Sequence, residues 1–236
     1  MISIITGTLN RGPLLPALIE NTVEANENLE LVLVDGGSTD GTIEYIKGEN
    51  HPRIKLIELG GRSSYPHFMN IAIQNATHEI VCQWNDDVLL SNDWNEVISE
   101  IDDEHDFYLF NWKYGTPEDM KNPDWLYGHN QDVGKWCLVN NKPDGEIVMN
   151  YGLYKKHIFR KVGMYNNEYR YYCADGDMAD RAYSFGFKVK DLRHIKVCSL
   201  YVNKVANYYQ DDQQIYNKNL NLYKNKILPS NIEILE

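Results

Sequence analysis

Short apolar runs alternate with helical patterns over residues 1–90, and this alternation is the feature that most constrains the fold. Each run has the length and the β-rich composition of a buried strand. The runs are Ser3–Thr6, Leu31–Val34, Ile54–Glu58 and Ile80–Cys82. The helical patterns begin near Pro13 and cover Ile43–Ile46 and about Pro66–Ala76. Because strand–helix–strand units place successive strands in parallel, the sequence predicts an α/β fold with a mostly parallel, Rossmann-like sheet flanked by helices.

Composition excludes several classes of partner. The chain has 236 residues, of which 43% are hydrophobic, and a formal net charge of -11. An acidic surface disfavours nucleic acid and anionic lipid, so no nucleic-acid partner is predicted. No apolar run is long enough to span a bilayer and no leader precedes the first strand, so we expect a cytoplasmic protein without a transmembrane segment. Widely spaced cysteines without a C-x-x-C pair fit reduced thiols. They are Cys82, Cys137, Cys173 and Cys198.

Two adjacent carboxylates follow the fourth apolar run. Ile80–Cys82 leads through Gln83 and Trp84 to Asn85, Asp86 and Asp87. Neighbouring carboxylates resist ionising together, and a divalent cation would remove that cost. Mg²⁺ or Mn²⁺ is usually held by one or two carboxylates together with substrate phosphates, so the pair predicts a metal and a phosphate-bearing substrate. The alternative is that both acids only cap the helix that follows near Asn92.

A glycine-rich loop, DGGSTDGT, follows the second apolar run. It begins at Asp35 and continues through Gly37 and Ser38 to a predicted helix. Ligands of open α/β sheets bind at the carboxyl ends of strands, so Asp35 is a candidate to contact a base or ribose. A capped turn without a ligand is the alternative. Neither a G-x-G-x-x-G sequence nor a P-loop is present, which leaves a metal held by the acid pair as the candidate to bind the phosphates.

The second half of the chain is less regular. Lys113–Gly145 is rich in Pro, Gly, Asn, Asp and Trp, which is typical of a long functional loop. Trp125 and Trp136 in this excursion are candidates to form an acceptor-side wall, with a plain surface insertion as the alternative. Glu146–Leu153 is predicted to be a strand. Tyr216, Leu220, Tyr223 and Ile227 recur at helical spacing, which predicts an amphipathic helix over Ala206–Ile227.

Asp175 lies before a helix predicted to run to about Phe185 and to end at Gly186. We predict that Asp175 is the N-cap and that Asp177 lies in the first turn. A carboxylate at a helix N-terminus is suited to general-base catalysis if a reacting hydroxyl is close. A cap with acids that complement the helix dipole is the alternative.

Four ordered segments together resemble the family 2 glycosyltransferases of the GT-A fold. They are SIITGTLNR, LVLVDGGSTDGT, NIAIQNATHEIVCQWNDD and VGMYNNEYRYYCADGDMADRAYSFGFKV. The resemblance covers roughly residues 1–195. It implies a GT-A domain over 1–205, with a nucleotide-sugar-binding half at 1–112 and an acceptor-binding and catalytic half at 113–205. Residues 206–236 would form a C-terminal helical tail.

The resemblance also implies roles for individual residues. Asp87, with Asp86, matches the metal-binding D-x-D motif, and Asp175 matches the catalytic base. Asp177, Trp125 and Trp136 are candidates to bind the acceptor. The implied donor-nucleotide contacts are Thr6, Thr8, Asn10, Arg11, Asp35, Gly37, Ser38, Arg62, Asn70 and Asp86.

Three positions depart from the family pattern. Asn85 occupies the first D-x-D position, and Ala174 replaces the glutamate that usually precedes the base. The family's late histidine has no clear match, because His194 comes early and Ser199 stands where it would fall.

The resemblance implies a metal-dependent, inverting transfer, with Mn²⁺ or Mg²⁺, from a nucleotide sugar to a glycan or other hydroxyl acceptor. The donor is expected to be a UDP-sugar. Two alternatives stay open: a sugar-phosphate nucleotidyltransferase, or an inactive relic that binds a nucleotide sugar.

Overall fold

The computed structural model describes residues 1–121, 151–200 and 209–236, and it confirms the α/β fold. One sheet has the strand order β3-β2-β1-β4-β7-β6-β8-β5. The strands are β1 (Ile2–Thr8), β2 (Leu29–Asp35), β3 (Ile54–Glu58), β4 (Ile80–Gln83), β5 (Val88–Leu90), β6 (Phe107–Gly115), β7 (Gly152–Lys155) and β8 (Val189–Leu200). Within those ranges the α-helices are α1 (Leu15–Ile19), α2 (Thr42–Glu49), α3 (Tyr65–Asn75), α4 (Trp94–Ser99), α5 (His157–Val162), α6 (Ala174–Ser184) and α7 (Tyr209–Lys224). A 3₁₀ turn and a π-helical turn flank α1.

The first four strands form the parallel half of the sheet. β1 pairs in parallel with β2 and β4, and β2 pairs in parallel with β3. Every residue of β2 is buried, as expected for a parallel strand covered on both faces. Thr8 pairs with Asp35 and Ile5 pairs with Gln83. The loops that follow these strands therefore leave the sheet at one common edge.

The remaining strands form a mixed half. β7 pairs antiparallel with β4 and β6, β6 pairs in parallel with β8, and β5 pairs antiparallel with β8. The sheet thus continues from residues of the predicted nucleotide half into residues of the predicted acceptor half. The division at residue 112 stays a prediction.

β5 is an element that the sequence pattern did not predict. It begins directly after Asp87, so the acid pair lies in the turn between β4 and β5. The suggestion that these acids cap the following helix is wrong. Asp93 caps α4, because its side chain accepts a 2.8 Å hydrogen bond from the backbone N–H of Asn95.

Two apolar clusters cover opposite faces of the sheet. Alternate residues of β2 point to different clusters, with Val32 packing on the α3 side and Leu33 on the α1 side. Tyr216 of α7 belongs to the first cluster, so the C-terminal helix packs on the body of the fold. α7 ends at Lys224, short of the predicted limit, and Ile227 beyond it is 51% exposed.

Several predictions fall partly or wholly outside the described ranges. Most of the Lys113–Gly145 excursion does, including Trp125 and Trp136, and so does Cys137. The strand predicted to start at Glu146 is described from Gly152 onward. Among the described cysteines, Cys82, Cys173 and Cys198 form no disulfide. In the part of the chain that the structure covers, none of the helices has the length and apolarity needed to cross a bilayer.

Candidate active site

The loops after β1 and β2 are joined by side-chain hydrogen bonds. The Asn10 N–H donates to the Ser38 hydroxyl at 2.8 Å, and the Asn10 side-chain oxygen accepts from the Thr39 N–H at 2.8 Å. Asn10 has a φ of 54°, a conformation that asparagine tolerates better than most residues. The next residue, Arg11, donates its N–H to the Thr42 hydroxyl at 3.1 Å. This pairing holds the backbone of Arg11 at the carboxyl edge of the sheet.

Asp35 organises the second of these loops. It is completely buried, and its Oδ1 accepts from the N–H groups of Gly37 and Ser38 at 2.7 and 2.9 Å. The Ser38 hydroxyl donates to its other oxygen. Both carboxylate oxygens therefore fix the loop. Asp35 therefore anchors the loop whether or not a ligand is bound. A contact from Asp35 to a nucleotide base stays a prediction.

Gly37 allows this loop to approach the loop after β3. Its φ is +89°, and a Cβ at this position would lie 3.0 Å from the backbone of Gly60 and of Gly61. A contact this tight would force the backbone of one loop to shift by a few tenths of an ångström, and glycine avoids it. Arg62 follows directly and is exposed. The predicted donor residues Gly37, Ser38 and Arg62 therefore lie on adjoining loops.

The acid pair lies beside Arg11. The Arg11 Nε is 3.8 Å from Asp86 Oδ2, and the Asp86 side chain is only 12% exposed. Burial, with added repulsion from Asp87, raises the pKa of Asp86 to about 7 although Arg11 and the Thr8 hydroxyl act in the opposite direction. Burial also raises the pKa of Asp87. The positive charge of Arg11 is therefore insufficient to bring the pKa of either carboxyl back to its ordinary value.

The residues at this turn fit Mn²⁺ or Mg²⁺. These cations prefer oxygen ligands, and one or two carboxylates with substrate phosphates are a common set for them. Within the described ranges no group of three His, Cys, Asp or Glu could hold a metal, and a set of two carboxylates commonly includes phosphate and water oxygens as further ligands. A bound cation would offset the cost of ionising Asp86 and Asp87 together.

Tyr151 connects the acid pair to the predicted base, and sequence reasoning missed it. Its hydroxyl accepts a 3.2 Å hydrogen bond from the Asn85 amide. Burial raises its pKa far above the usual range, and the charges of Asp87 and Asp175 add to this effect, whereas hydrogen bonds with Ser199 and Asn85 oppose it. The charges of Asp87 and Asp175 thus both reach this hydroxyl, and its surroundings are here named the crevice; that the two acids share one binding site stays a prediction. Tyrosine occurs 17 times in the chain, so nothing in the local sequence distinguishes this one.

Asp175 lies one residue inside α6 rather than at its N-cap. The N-cap is Cys173, which has a φ of 62°, so the predicted cap assignment is wrong. Asp175 Oδ1 accepts from the Gly176 N–H at 2.8 Å. Burial raises the pKa of Asp175 to about 6, although that hydrogen bond lowers it. The carboxyl therefore ionises just below neutral pH, as a general base requires.

Three predicted site residues are buried in structural contacts. The Asp177 side chain is completely buried, and its Oδ1 accepts from interior hydroxyl and amide groups of Tyr169, Tyr223 and Asn219 at 2.8, 2.7 and 3.1 Å. Asn70 is 2% exposed and bonds to both backbone groups of Tyr165. Thr6 is 1% exposed and its hydroxyl donates to the Gly7 carbonyl. These contacts give all three a structural role, and their predicted contacts to donor or acceptor stay predictions.

Tyr171 lies at the mouth of the crevice and was also missed. It is 47% exposed, and its ring meets that of Tyr172 edge-on with centroids 5.1 Å apart. Partial burial raises its pKa, and so do the charges of Asp87 and, more weakly, Asp86. An exposed ring beside the acid pair offers an apolar face to whatever enters.

Ser199 and His194 have different surroundings. Ser199 pairs with Val88, the residue after the acid pair, and hydrogen-bonds to Tyr151. His194 instead contacts Glu100 at 3.0 Å, beyond the end of α4. Ser199 therefore occupies the position beside the crevice where the resemblance would put the late histidine.

Comparison with known proteins identifies the family. Residues 3–160 match the family described as Glycosyl transferase family 2. The chain belongs to glycosyltransferase family 2. This assignment confirms the resemblance and favours a glycosyltransferase over a nucleotidyltransferase. The matched segment of this family 2 member contains the paired loops, the acid pair and Tyr151, whereas Asp175 and Ser199 lie beyond it.

Curated relatives carry a glycosyltransferase description. A PGL/p-HBAD biosynthesis glycosyltransferase of Mycobacterium bovis (strain BCG / Pasteur 1173P2) is 29% identical over 203 residues, which cover 84% of this chain and 76% of the relative. A protein of the same description from Mycobacterium tuberculosis (strain ATCC 25177 / H37Ra) shows the same identity and coverage.

Solved structures confirm the GT-A fold of this family 2 glycosyltransferase. The mannosyltransferase PcManGT from Pyrobaculum calidifontis, solved with GDP-Man and Mn²⁺, has a TM-score of 0.62 at 21% identity and is matched over 92% of this chain and 60% of its own. S. aureus TarS 1-349, solved with UDP-GlcNAc, has a TM-score of 0.67 at 16% identity, over 92% of this chain and 66% of its own. The chain thus spans less than two thirds of the length of these two proteins.

Proposed function

We propose that this family 2 glycosyltransferase moves a sugar from a nucleoside diphosphate sugar, first of all a UDP-sugar, to a hydroxyl group of a glycan acceptor. The reaction would use Mn²⁺ or Mg²⁺ and would invert the anomeric configuration. One observation carries the proposal: the acid pair, with Arg11 3.8 Å from Asp86, lies directly before β5 and inside the family match. Asp175, whose charge reaches the same Tyr151 hydroxyl as that of Asp87, would accept the proton.

The donor end is formed by the paired loops and the acid pair. Asp86 and Asp87 would hold the cation, which when bound would act as a Lewis acid and neutralise charge on the departing nucleoside diphosphate. Arg11 lies 3.8 Å from Asp86, close enough to contact a phosphate bound at the same turn. The hydrogen bonds of Asn10 and Asp35 hold the loop backbones in place before the donor arrives, so little ordering remains to be done on binding.

At the acceptor end, Asp175 would remove the proton from the attacking hydroxyl. A carboxyl with a pKa of about 6 is ionised at neutral pH and is a stronger base than an ordinary aspartate. Attack on the anomeric carbon from the face opposite the departing diphosphate is a single displacement, and it inverts the configuration. The exposed ring of Tyr171 would pack against a sugar at the crevice mouth.

The solved neighbours support a nucleotide-sugar donor without selecting its base, because one holds GDP-Man with Mn²⁺ and another holds UDP-GlcNAc. The curated relatives are described as biosynthetic glycosyltransferases. We place UDP-sugars first because the resemblance of the second loop is to uracil-binding members of the family.

A donor panel tests the proposal. Thermal unfolding would be followed with UDP-glucose, UDP-galactose, UDP-GlcNAc and GDP-mannose, each with Mn²⁺ or with EDTA, because a bound donor raises the midpoint by mass action. Release of UDP or GDP and the anomeric configuration of the product would then be measured with the donor that protects best. We expect Mn²⁺-dependent protection and an inverted product. A retained configuration would contradict the mechanism, and protection without turnover on any acceptor would favour the inactive relic.

A further inference from the structure

The backbone of residues 170–172 is held by a carboxylate from the C-terminal helix. Asp212 lies in the first turn of α7 and is completely buried. Its Oδ1 accepts from the Arg170 N–H at 3.0 Å, and its Oδ2 accepts from the N–H groups of Tyr171 and Tyr172 at 2.9 and 2.7 Å. Three successive N–H groups that converge on one anion form a strong charge-assisted arrangement.

This segment lies between two parts of the crevice. Tyr171 is 47% exposed and within reach of the charges of the acid pair, and Cys173 is the left-handed N-cap of α6, two residues before Asp175. The Arg170 carbonyl accepts a hydrogen bond from the N–H of Tyr65 at 3.2 Å. Burial raises the pKa of Tyr65, and the charge of Asp175 adds a smaller effect in the same direction. A shift of residues 170–172 would therefore move both the exposed ring and the start of α6.

Other contacts fix α7 to α6 independently of Asp212. Tyr223 and Asn219 donate to Asp177 at 2.7 and 3.1 Å, and Tyr216 donates to Asp180. These contacts lie farther along both helices. Loss of the Asp212 carboxylate would therefore release the segment while leaving the two helices packed.

We propose that Asp212 is a positioning residue for sugar transfer, which holds the backbone of residues 170–172 so that Tyr171 and Asp175 keep their places around the crevice. The inference rests on the proposed function. It assigns a role in the reaction to α7, which lies outside the family match over residues 3–160.

The test compares Asp212→Asn with Asp211→Asn. Asp211 is the preceding residue of the same helix, is exposed, and loses the same charge when substituted. In Asp212→Asn the new NH₂ group must face at least one of the backbone N–H groups, so two donors oppose each other. Asp212→Glu keeps the charge and the acceptor oxygens on a longer side chain, and it serves as the conservative variant.

Hydrogen exchange and kinetics give separate readouts. We expect amide exchange at residues 170–172 to be about tenfold faster in Asp212→Asn and unchanged in Asp211→Asn. With the best UDP-sugar of the donor panel, kcat should fall by about tenfold to a hundredfold, whereas the Kd for UDP with Mn²⁺ should stay within about threefold, because the donor loops are separate from this segment. Asp212→Glu should recover part of kcat.

Several outcomes would overturn the inference. Equal exchange in both asparagine variants would show that Asp212 does not hold the segment, and an unchanged kcat with faster exchange would show that the hold has no role in transfer. If Asp212→Asn does not fold, amide exchange is measured in the unaltered chain instead. Exchange at residues 170–172 as fast as in a free loop would contradict the inference. Absence of turnover in the unaltered chain with every donor would instead refute the proposed function, while the exchange comparison would still decide the backbone contact.

Discussion

The side-chain amide of Asn85 donates a 3.2 Å hydrogen bond to the hydroxyl of Tyr151. This contact joins the turn after β4 to the start of β7, across a long separation in the chain. It also gives Asn85, which the resemblance puts at the first position of the D-x-D motif, a structural contact of its own. Asn85 thus binds the Tyr151 hydroxyl, whose pKa is raised by the charges of both Asp87 and Asp175.

Replacing Tyr151 with Phe should reduce turnover more than it reduces stability. The variant loses the hydrogen bonds to Asn85 and Ser199, which costs on the order of 1 kcal/mol of unfolding free energy. Because the charges of Asp87 and Asp175 both reach this hydroxyl, we expect kcat to fall by about tenfold or more. Tyr108→Phe is the matched control, since its buried hydroxyl bonds to the Asp102 backbone away from the crevice. Equal kcat values for the two variants, measured by UDP release, would contradict a role for Tyr151.

Replacing Asp175 with Asn should abolish turnover and leave donor binding intact. A general base contributes about a hundredfold to ten-thousandfold, so kcat should drop by at least that order while the Kd for UDP with Mn²⁺ is unchanged. In the unaltered chain, kcat should rise with pH through about 6 and then level off, because Asp175 must be deprotonated to act. Near-normal activity of the variant, or a flat pH profile between about pH 5 and 8, would place the base elsewhere.

The parallel half of the fold was predictable because its elements are encoded locally. β3 has the predicted bounds, and β1, β2 and β4 extend the predicted runs by a few residues. The mixed half was less predictable, since β5 and β8 pair across more than a hundred residues and a three-residue strand leaves almost no pattern. The positions of Asp35 at the end of a strand, Asp87 in a turn and Asp175 near a helix start followed from motif and spacing. The roles of Tyr151, Tyr171 and Asp212 depend on tertiary contacts that no local pattern records.

Asp86 should make the metal-free protein less stable as pH rises. Its pKa in the folded chain is about 7 against an ordinary value of 3.8, so between these values the folded state binds more protons than the unfolded state. The free energy of unfolding should therefore fall as pH rises from about 4 to about 7, by on the order of 4 kcal/mol from this group.

Urea unfolding in EDTA across this pH range checks the effect against Asp86→Asn. The variant should lack this component and should gain stability relative to the unaltered chain toward neutral pH. Mn²⁺ with UDP should raise the unfolding midpoint of the unaltered chain at neutral pH and have much less effect on the variant. Parallel pH curves for the two proteins would contradict the assigned burial and repulsion at the acid pair.

Replacing Gly37 with Ala should cost more than replacing Gly41 with Ala, although both glycines have nearly the same φ, +89° and +91°. The positive φ costs each variant about 1 kcal/mol. At Gly37 the added Cβ would also lie 3.0 Å from the backbone of Gly60 and Gly61, whereas at Gly41 nothing lies within 4 Å. Backbone has little freedom to yield, so Gly37→Ala should lose a further 1–3 kcal/mol or so. Separation of the two loops would also displace the N–H that Gly37 donates to Asp35, and UDP should therefore bind at least about tenfold more weakly. Urea unfolding measures the loss of stability, and calorimetric titration with UDP and Mn²⁺ measures the loss of affinity. Equal losses in the two variants would show that the close approach of the loops matters for neither stability nor UDP binding.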